Sequence, residues 1–313
     1  GWTPREKLGQ LGLVPGGPLV RVNADGIDLL RAAIELSELT NTVSPGFAAE
    51  ALTPEYGMGL EAVLRAKGDR FFGILNGLDT TVWNPATDAD LAAPYSAADL
   101  RGKAADRRDL LERVGFDADD PGAVLGMIGR LDPQKGFDLL AGAAARLLKR
   151  GARLVVLGTG HPEQVAGLHR LAARQPERVA LIESFDRAMA RRIYAGNDLF
   201  VMPSRFEPCG QGQMIALRYG SPPIVRRTGG LRDTVVDEVA LPGKGTGFAF
   251  DATTPAALFA ACDAAISYYE SGGAKWSRLV QRGMAVDFDW TTGSAPRYVE
   301  AYERAIGIRR EGR

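Results

Sequence analysis

From about residue 122 onward the chain alternates six short apolar runs with amphipathic stretches of helical period, and this alternation narrows the available folds more than any other feature. The runs are AVLGMIGR, ARLVVLG, RVALIE, LFVMP, PPIVRR and GTGFAF; the helical stretches after them are 137–149, 162–174, 187–194, 212–219, 231–239 and 255–269. Continuous apolar runs belong to strands buried on both faces, and helical connections make successive strands parallel. The expectation is an α/β domain, a parallel sheet covered on both sides by helices. Such sheets bind ligands beyond the carboxyl ends of their strands. The chemistry is therefore sought in the loops that leave those ends.

Two of these loops carry it. In FVMPSRFEPCGQGQMIALRYGSPPIVRRTGGLRDTVVD (200–237), a buried strand runs into a turn in which Gly210 and Gly212 let the backbone approach a ligand, and a helix starts near Gln211 or Gly212. Unpaired N–H groups there favour an anion, and Glu207 just upstream is placed to accept hydrogen bonds from hydroxyls. Phosphate together with a polyol suggests a nucleotide sugar. In AVLGMIGRLDPQK (123–135), a second strand end carries Arg130 and Lys135, and the Asp132-Pro133 turn is expected to fold both cations toward one point, as a clamp on a diphosphate.

Composition limits the alternatives. The 313 residues hold 38 basic and 38 acidic side chains, so no global charge draws the chain to nucleic acid or an anionic membrane. No apolar run reaches membrane-spanning length. Cys209 and Cys262 are the only cysteines, too few for a disulfide framework or a cysteine metal site, which points to a reducing cytoplasm. No His/Cys spacing fits a metal site, and GRLDPQKG stands where a dehydrogenase would carry GxGxxG. Residues 1–22 read as loop, helical period begins with Ile27 and Leu30, the 86–118 region has helical character, and helices at about 276–286 and 295–306 close the chain. His161 reads as a helix-start residue and His169 as a surface residue.

Four blocks then carry a resemblance: GILNGLDTTVWNPATD (73–88), GRLDPQKGFDLL (129–140), the 202–235 segment and DFDWTTGSAPRYVEAY (287–302). The chain resembles the bacterial glycogen synthase and plant-type starch synthase family, retaining ADP-glucose glucosyltransferases of the GT-B fold. The resemblance implies a residual part of the acceptor domain at 1–75, a Rossmann-like ADP-glucose domain at 76–290, and a C-terminal helix at 291–313 that packs back toward the first part. It implies transfer of glucose from ADP-glucose to an α-1,4-glucan, with ADP as product and no cofactor or metal.

Residue by residue, the resemblance implies that Arg130 and Lys135 grip the diphosphate and that Glu207 holds donor-glucose hydroxyls. Asn76 faces the donor sugar, Cys209, Gly210, Gln211 and Gly212 line phosphate or glucose, Thr228, Gly229 and Gly230 lie at the next strand end, and Phe185 takes the place of an aromatic ring against adenine. Ile215 stands where many GT-B enzymes carry a second acid, which narrows the branch to the synthases. The family's lysine- and glycine-rich loop and its acceptor-side histidine have no counterpart here. The chain is accordingly read as N-terminally shortened, binding ADP but turning over ADP-glucose poorly by itself. Two alternatives stand beside this reading: a nucleotide-sugar-binding half without turnover, and a GT-B transferase with another nucleotide sugar.

Overall fold

The computed structural model describes residues 2–11, 22–23 and 26–312, which fall into two compact units, Asn76–Gly293 and Gly1–Leu75 with Ser294–Arg313. The larger unit is built on six strands: β1 (Val124–Ile128), β2 (Arg153–Leu157), β3 (Val179–Ile182), β4 (Leu199–Met202), β5 (Pro223–Arg226) and β6 (Phe248–Phe250). All pair in parallel, in the order β3-β2-β1-β4-β5-β6. This is the doubly wound order, whose direction of progression reverses between β1 and β4 and opens a crevice there.

Period two along the strands supplies both faces. Leu125 and Met127 of β1, Leu154 and Val156 of β2, and Leu199 and Val201 of β4 join one core with helices α2 (Phe137–Lys149) and α7 (Pro255–Glu270). Val124, Val155 and Leu157 join the other, with Leu110 and Leu111 of α1 (Arg101–Arg113) and Ile193 of α4 (Arg187–Gly196). The remaining helices are α3 (Pro162–Arg174), α5 (Gly212–Arg218), α6 (Gly229–Thr234) and α8 (Gly273–Met284).

Several expectations need correction. The helical character read into 86–118 is confined to α1, because carboxylates tie down the preceding chain locally: Asp106 accepts from the N–H groups of Ala92 and Ala93, and Asp88 from that of Asp90. Helix α6 starts two residues earlier than expected and ends at Thr234, since Val235 is extended and Glu238 pairs with Gly247 instead. In the smaller unit Ile27 lies in a strand, Gly26–Asp28, not in a helix; Asp28 caps the helix Leu29–Leu36 through the N–H groups of Leu30 and Arg31. Trp2–Pro4 is likewise a strand rather than loop, antiparallel to Gly26–Asp28, while the loop expected through 12–21 lies outside the described residues.

The same unit takes its last element from the far end of the chain. Helix Ala295–Glu311 reaches residues of the first segment through Arg304–Asp69 (2.7 Å) and Arg309–Glu38 (2.8 Å), and Ser294 Oγ donates to Leu75 O at 2.7 Å.

Candidate functional site

The loops leaving β1 and β4 meet at the switch point of the sheet and are locked together. After β1, the Asp132 carboxylate accepts from the Lys135 N–H at 3.1 Å and starts a single 3-10 turn, Pro133–Lys135. Gly136 ends it at φ +74°, and a Cβ there would lie 2.3 Å from the carbonyl oxygen of Pro203, so glycine is needed for the conformation and for the close approach to the β4 exit. Across the gap, the Arg205 N–H donates to Gln134 O at 2.8 Å and Gln134 Nε2 to Phe206 O at 2.9 Å. The Arg205 guanidinium then grips both oxygens of Asp138, each at 2.7 Å.

These ties set Lys135 against Glu207, with Nζ 2.6 Å from Oε2. Ser204 Oγ donates to the same oxygen at 3.0 Å. The Glu207 side chain is only 8% exposed, the ammonium 21%. Arg130 lies 3.3 Å from Asp132, is 72% exposed, and lines the cleft. The two cations thus differ in setting, Lys135 half-buried beside an acid and Arg130 open to solvent.

The turn after Glu207 is held from behind. The Gly230 N–H donates to Glu207 O and Pro208 O, both at 3.1 Å, and Cβ atoms at Gly229 and Gly230 would lie 2.1 Å from Glu207 O and 2.3 Å from Cys209 O. Thr228 is fully buried and does not cap α6 with its side chain. Gly210 has φ +72°, and Gln211 Nε2 donates to Gly77 O at 3.2 Å, which ties the turn to the stretch carrying Asn76. Gln213, fully buried, donates to Cys209 O at 3.0 Å. No reading of the sequence singled it out, since one glutamine on a short apolar helix carries no local signal.

Burial pushes the Cys209 thiol up to about 11, opposed by the Asn76 N–H beside it. Its folded pKa lies above that of a free thiol, so the protonated form is favoured by the fold and this contribution is lost as pH rises from about 8.5 toward 11. Cys262 is fully buried and shifted in the same direction. In the native chain at pH 8 both thiols should therefore react with an alkylating reagent at least tenfold more slowly than in denaturant; fast native labelling would show that the turn opens.

A cleft of about 560 Å³ opens alongside, walled by the ends of β1, β2 and β3 and by Gln211, Gly212 and Ile215. Phe185 stands at its rim and is 86% exposed. The inner wall comes from Trp83, Arg191 and Tyr194, which sequence reasoning did not select. The Arg191 guanidinium lies 5.4 Å from the Trp83 ring centre and 3.1 Å from Asp88, so the WNPATD block is itself a wall of the site. His161 precedes α3 without a side-chain cap, and the exposed His169 pairs with Glu183 at 2.8 Å; neither lines the cleft. Among the described residues, no group of three or more His, Cys, Asp or Glu is placed to hold a metal ion, and no helix is long and apolar enough to cross a membrane.

Comparison with known proteins agrees with this architecture. Residues 111–272 match the family described as glycosyl transferases group 1, and residues 1–66 match the starch synthase catalytic domain. The chain is 43% identical over 312 residues to a glycogen synthase of Syntrophotalea carbinolica, covering 98% of this chain and 64% of that protein. A glycogen synthase of Geotalea daltonii is 41% identical over 310 residues, covering 98% and 63%. Among solved structures, the catalytic domain of starch synthase IV from Arabidopsis thaliana, bound to ADP and acarbose, superposes with a TM-score of 0.91 at 36% identity, covering 98% of this chain and 64% of that one. The chain thus spans less than two thirds of the length of each of these relatives. The fold is α/β of the GT-B type, and with more than half of its residues inside the family match the chain belongs to the glycosyl transferases group 1.

Proposed function

We propose that this chain carries the donor side of an ADP-glucose-dependent α-glucan synthase, which moves glucose from ADP-glucose to an α-1,4-glucan with retention at the anomeric carbon. The observation that carries the reading is the Lys135–Glu207 pair at 2.6 Å, a cation and a buried acid delivered by two strand ends to the switch point of a doubly wound sheet. The relatives' names, glycogen synthase and starch synthase, support the choice of reaction.

In this reading Lys135 and Arg130 hold the diphosphate and offset the charge that grows on it as it leaves. Glu207, already fixed by Ser204 and Lys135, accepts from glucose hydroxyls. The Asn76 side chain and the backbone of Cys209, Gly210, Gln211 and Gly212 complete the sugar and phosphate contacts, and Phe185 stacks on adenine from the rim. Thr228, Gly229 and Gly230 act through the turn they hold. The departing diphosphate remains on the face where the acceptor hydroxyl attacks and takes its proton, so positioning and electrostatics do the work without a protein nucleophile. Two buried free thiols suit a reducing cytoplasm.

Calorimetry with ADP, UDP and GDP tests the donor. ADP is expected to bind at least tenfold more tightly than GDP, and Arg130→Ala to weaken ADP by about tenfold, the scale of one charge-assisted contact. Equal affinity for the three nucleotides would sink the ADP assignment, and unchanged ADP binding by the variant would make Arg130 an ordinary surface cation.

A further inference from the structure

The inner wall of the cleft contains a hydroxyl that the reading above does not use. Tyr194 lies in α4, only 5% exposed, and among the described residues no protein group is hydrogen-bonded to its phenolic oxygen. The side chain is packed, but its oxygen reaches the cleft, where a ligand can take the place of solvent as its partner.

The position of this hydroxyl is set by its neighbours. The ring of Tyr194 meets Phe200 at 4.9 Å between centres, Trp83 edge-on at 6.1 Å and Tyr219 at 6.2 Å, so three aromatic side chains fix where the oxygen points. It points at Gly212: a Cβ built there would lie 3.3 Å from the Tyr194 oxygen, beside Phe200 and Met202 at 3.3 and 3.4 Å. Tyr194 and Gly212 both line the cleft. Residue 212 has no side chain, and its neighbour Gln211 is turned onto Gly77 O. Ile215, one helical turn on, is apolar. Next to the glycine turn, then, the wall offers one side-chain donor with nothing to donate to.

We propose that the Tyr194 hydroxyl is a donor-binding group, giving its hydrogen bond to a phosphate oxygen of the nucleoside diphosphate beside Gly212. The proposal rests on the nucleotide reading of the same cleft. A phosphate rather than a ribose hydroxyl is the assigned partner because the oxygen lies against Gly212 of the glycine turn, where the nucleotide reading puts phosphate. Trp83 acquires a function from it: its ring is one wall of the slot that holds the tyrosine upright.

Tyr194→Phe keeps the ring and removes only the oxygen. ADP titrations on the whole chain should show about tenfold weaker binding by this variant, the scale of a hydrogen bond to a charged group, while adenosine, which has no phosphate, binds both proteins equally. The melting temperature of the free variant should be unchanged, since the ring and its aromatic neighbours are kept. A second variant, Tyr194→Phe with Gly212→Ser, places a hydroxyl within reach of the same spot and should recover most of the lost ADP affinity. Failure of the parent chain to bind ADP would overturn the nucleotide reading together with this one. ADP affinity equal in parent and Phe variant would overturn the Tyr194 assignment alone, as would an equal loss for ADP and adenosine, and a lowered melting temperature with unchanged ADP affinity would make the tyrosine a packing residue.

Discussion

Replacing Lys135 by methionine is expected to lower the thermal midpoint by roughly 5–10 °C and to weaken ADP by at least tenfold. Both effects follow from the same contact. The Glu207 carboxylate is 8% exposed, and without the ammonium it would keep only the Ser204 hydroxyl as a named donor. Removing one partner of a buried pair costs more than the pair contributes, on the order of 3 kcal/mol here once the partial exposure of Lys135 is allowed for, and ~1 kcal/mol moves the midpoint of a unit this size by about 2–4 °C. The double variant Lys135→Met, Glu207→Gln separates the two roles, since it leaves no uncompensated charge. Its melt should return most of the way to the parent's, whereas its ADP affinity should stay low. An unchanged melt in the single variant would mean that water reaches the carboxylate; unchanged ADP binding would remove Lys135 from the phosphate site.

Gly230→Ala should be comparably damaging although it adds one methyl group and no charge. The new Cβ would stand 2.3 Å from Cys209 O and 2.5 Å from Cys209 Cα, both of them backbone atoms that cannot swing aside. Forced overpacking of this kind costs about 3 kcal/mol. The turn that carries Glu207 must retreat, so ADP affinity should fall with stability even though no ligand-facing group has changed. Gly307→Ala is the control, with nothing within 4 Å of the added atom in the helix Ala295–Glu311. It should stabilise by up to ~1 kcal/mol. Equal melts for the two variants would show that the backbone near Cys209 is soft.

What the sequence made legible, and what it hid, divides along the range of the interactions. VLGMI and RLVVL announced β1 and β2 because strands covered on both faces cannot carry polar residues, and helices 137–149 and 162–174 were readable to the residue from their punctuation by Gly136, Pro162 and Gly151. Ile27 misled because a single apolar residue fits a strand of three residues as well as a helix, and Asp28 behind it was the cap that should have moved the boundary. The alanine-rich stretch before α1 misled because alanine favours helix wherever local carboxylates do not compete, and here Asp88 and Asp106 do.

At the site, the glycines and the two loops were visible as motifs, since backbone demands are written locally. The partnership of Lys135 with Glu207 spans 72 residues, and Trp83 reaches the cleft from a stretch with no helical or strand period of its own. No periodicity encodes such meetings. The sheet order creates them.

The smaller unit takes its last helix from a stretch that lies roughly 220 residues later in the chain than its other half. Synthesis adds about 5–20 residues per second, so the strands and helices before Leu75 spend roughly ten to forty seconds outside the ribosome before Ser294 and the salt-bridging Arg304 and Arg309 emerge. The six-stranded sheet is finished within that interval. Its last strand and α8 are complete before the first residue of the closing helix is made. The smaller unit therefore acquires the ion pairs Arg304–Asp69 and Arg309–Glu38 only after every strand of the larger unit's sheet has been synthesised.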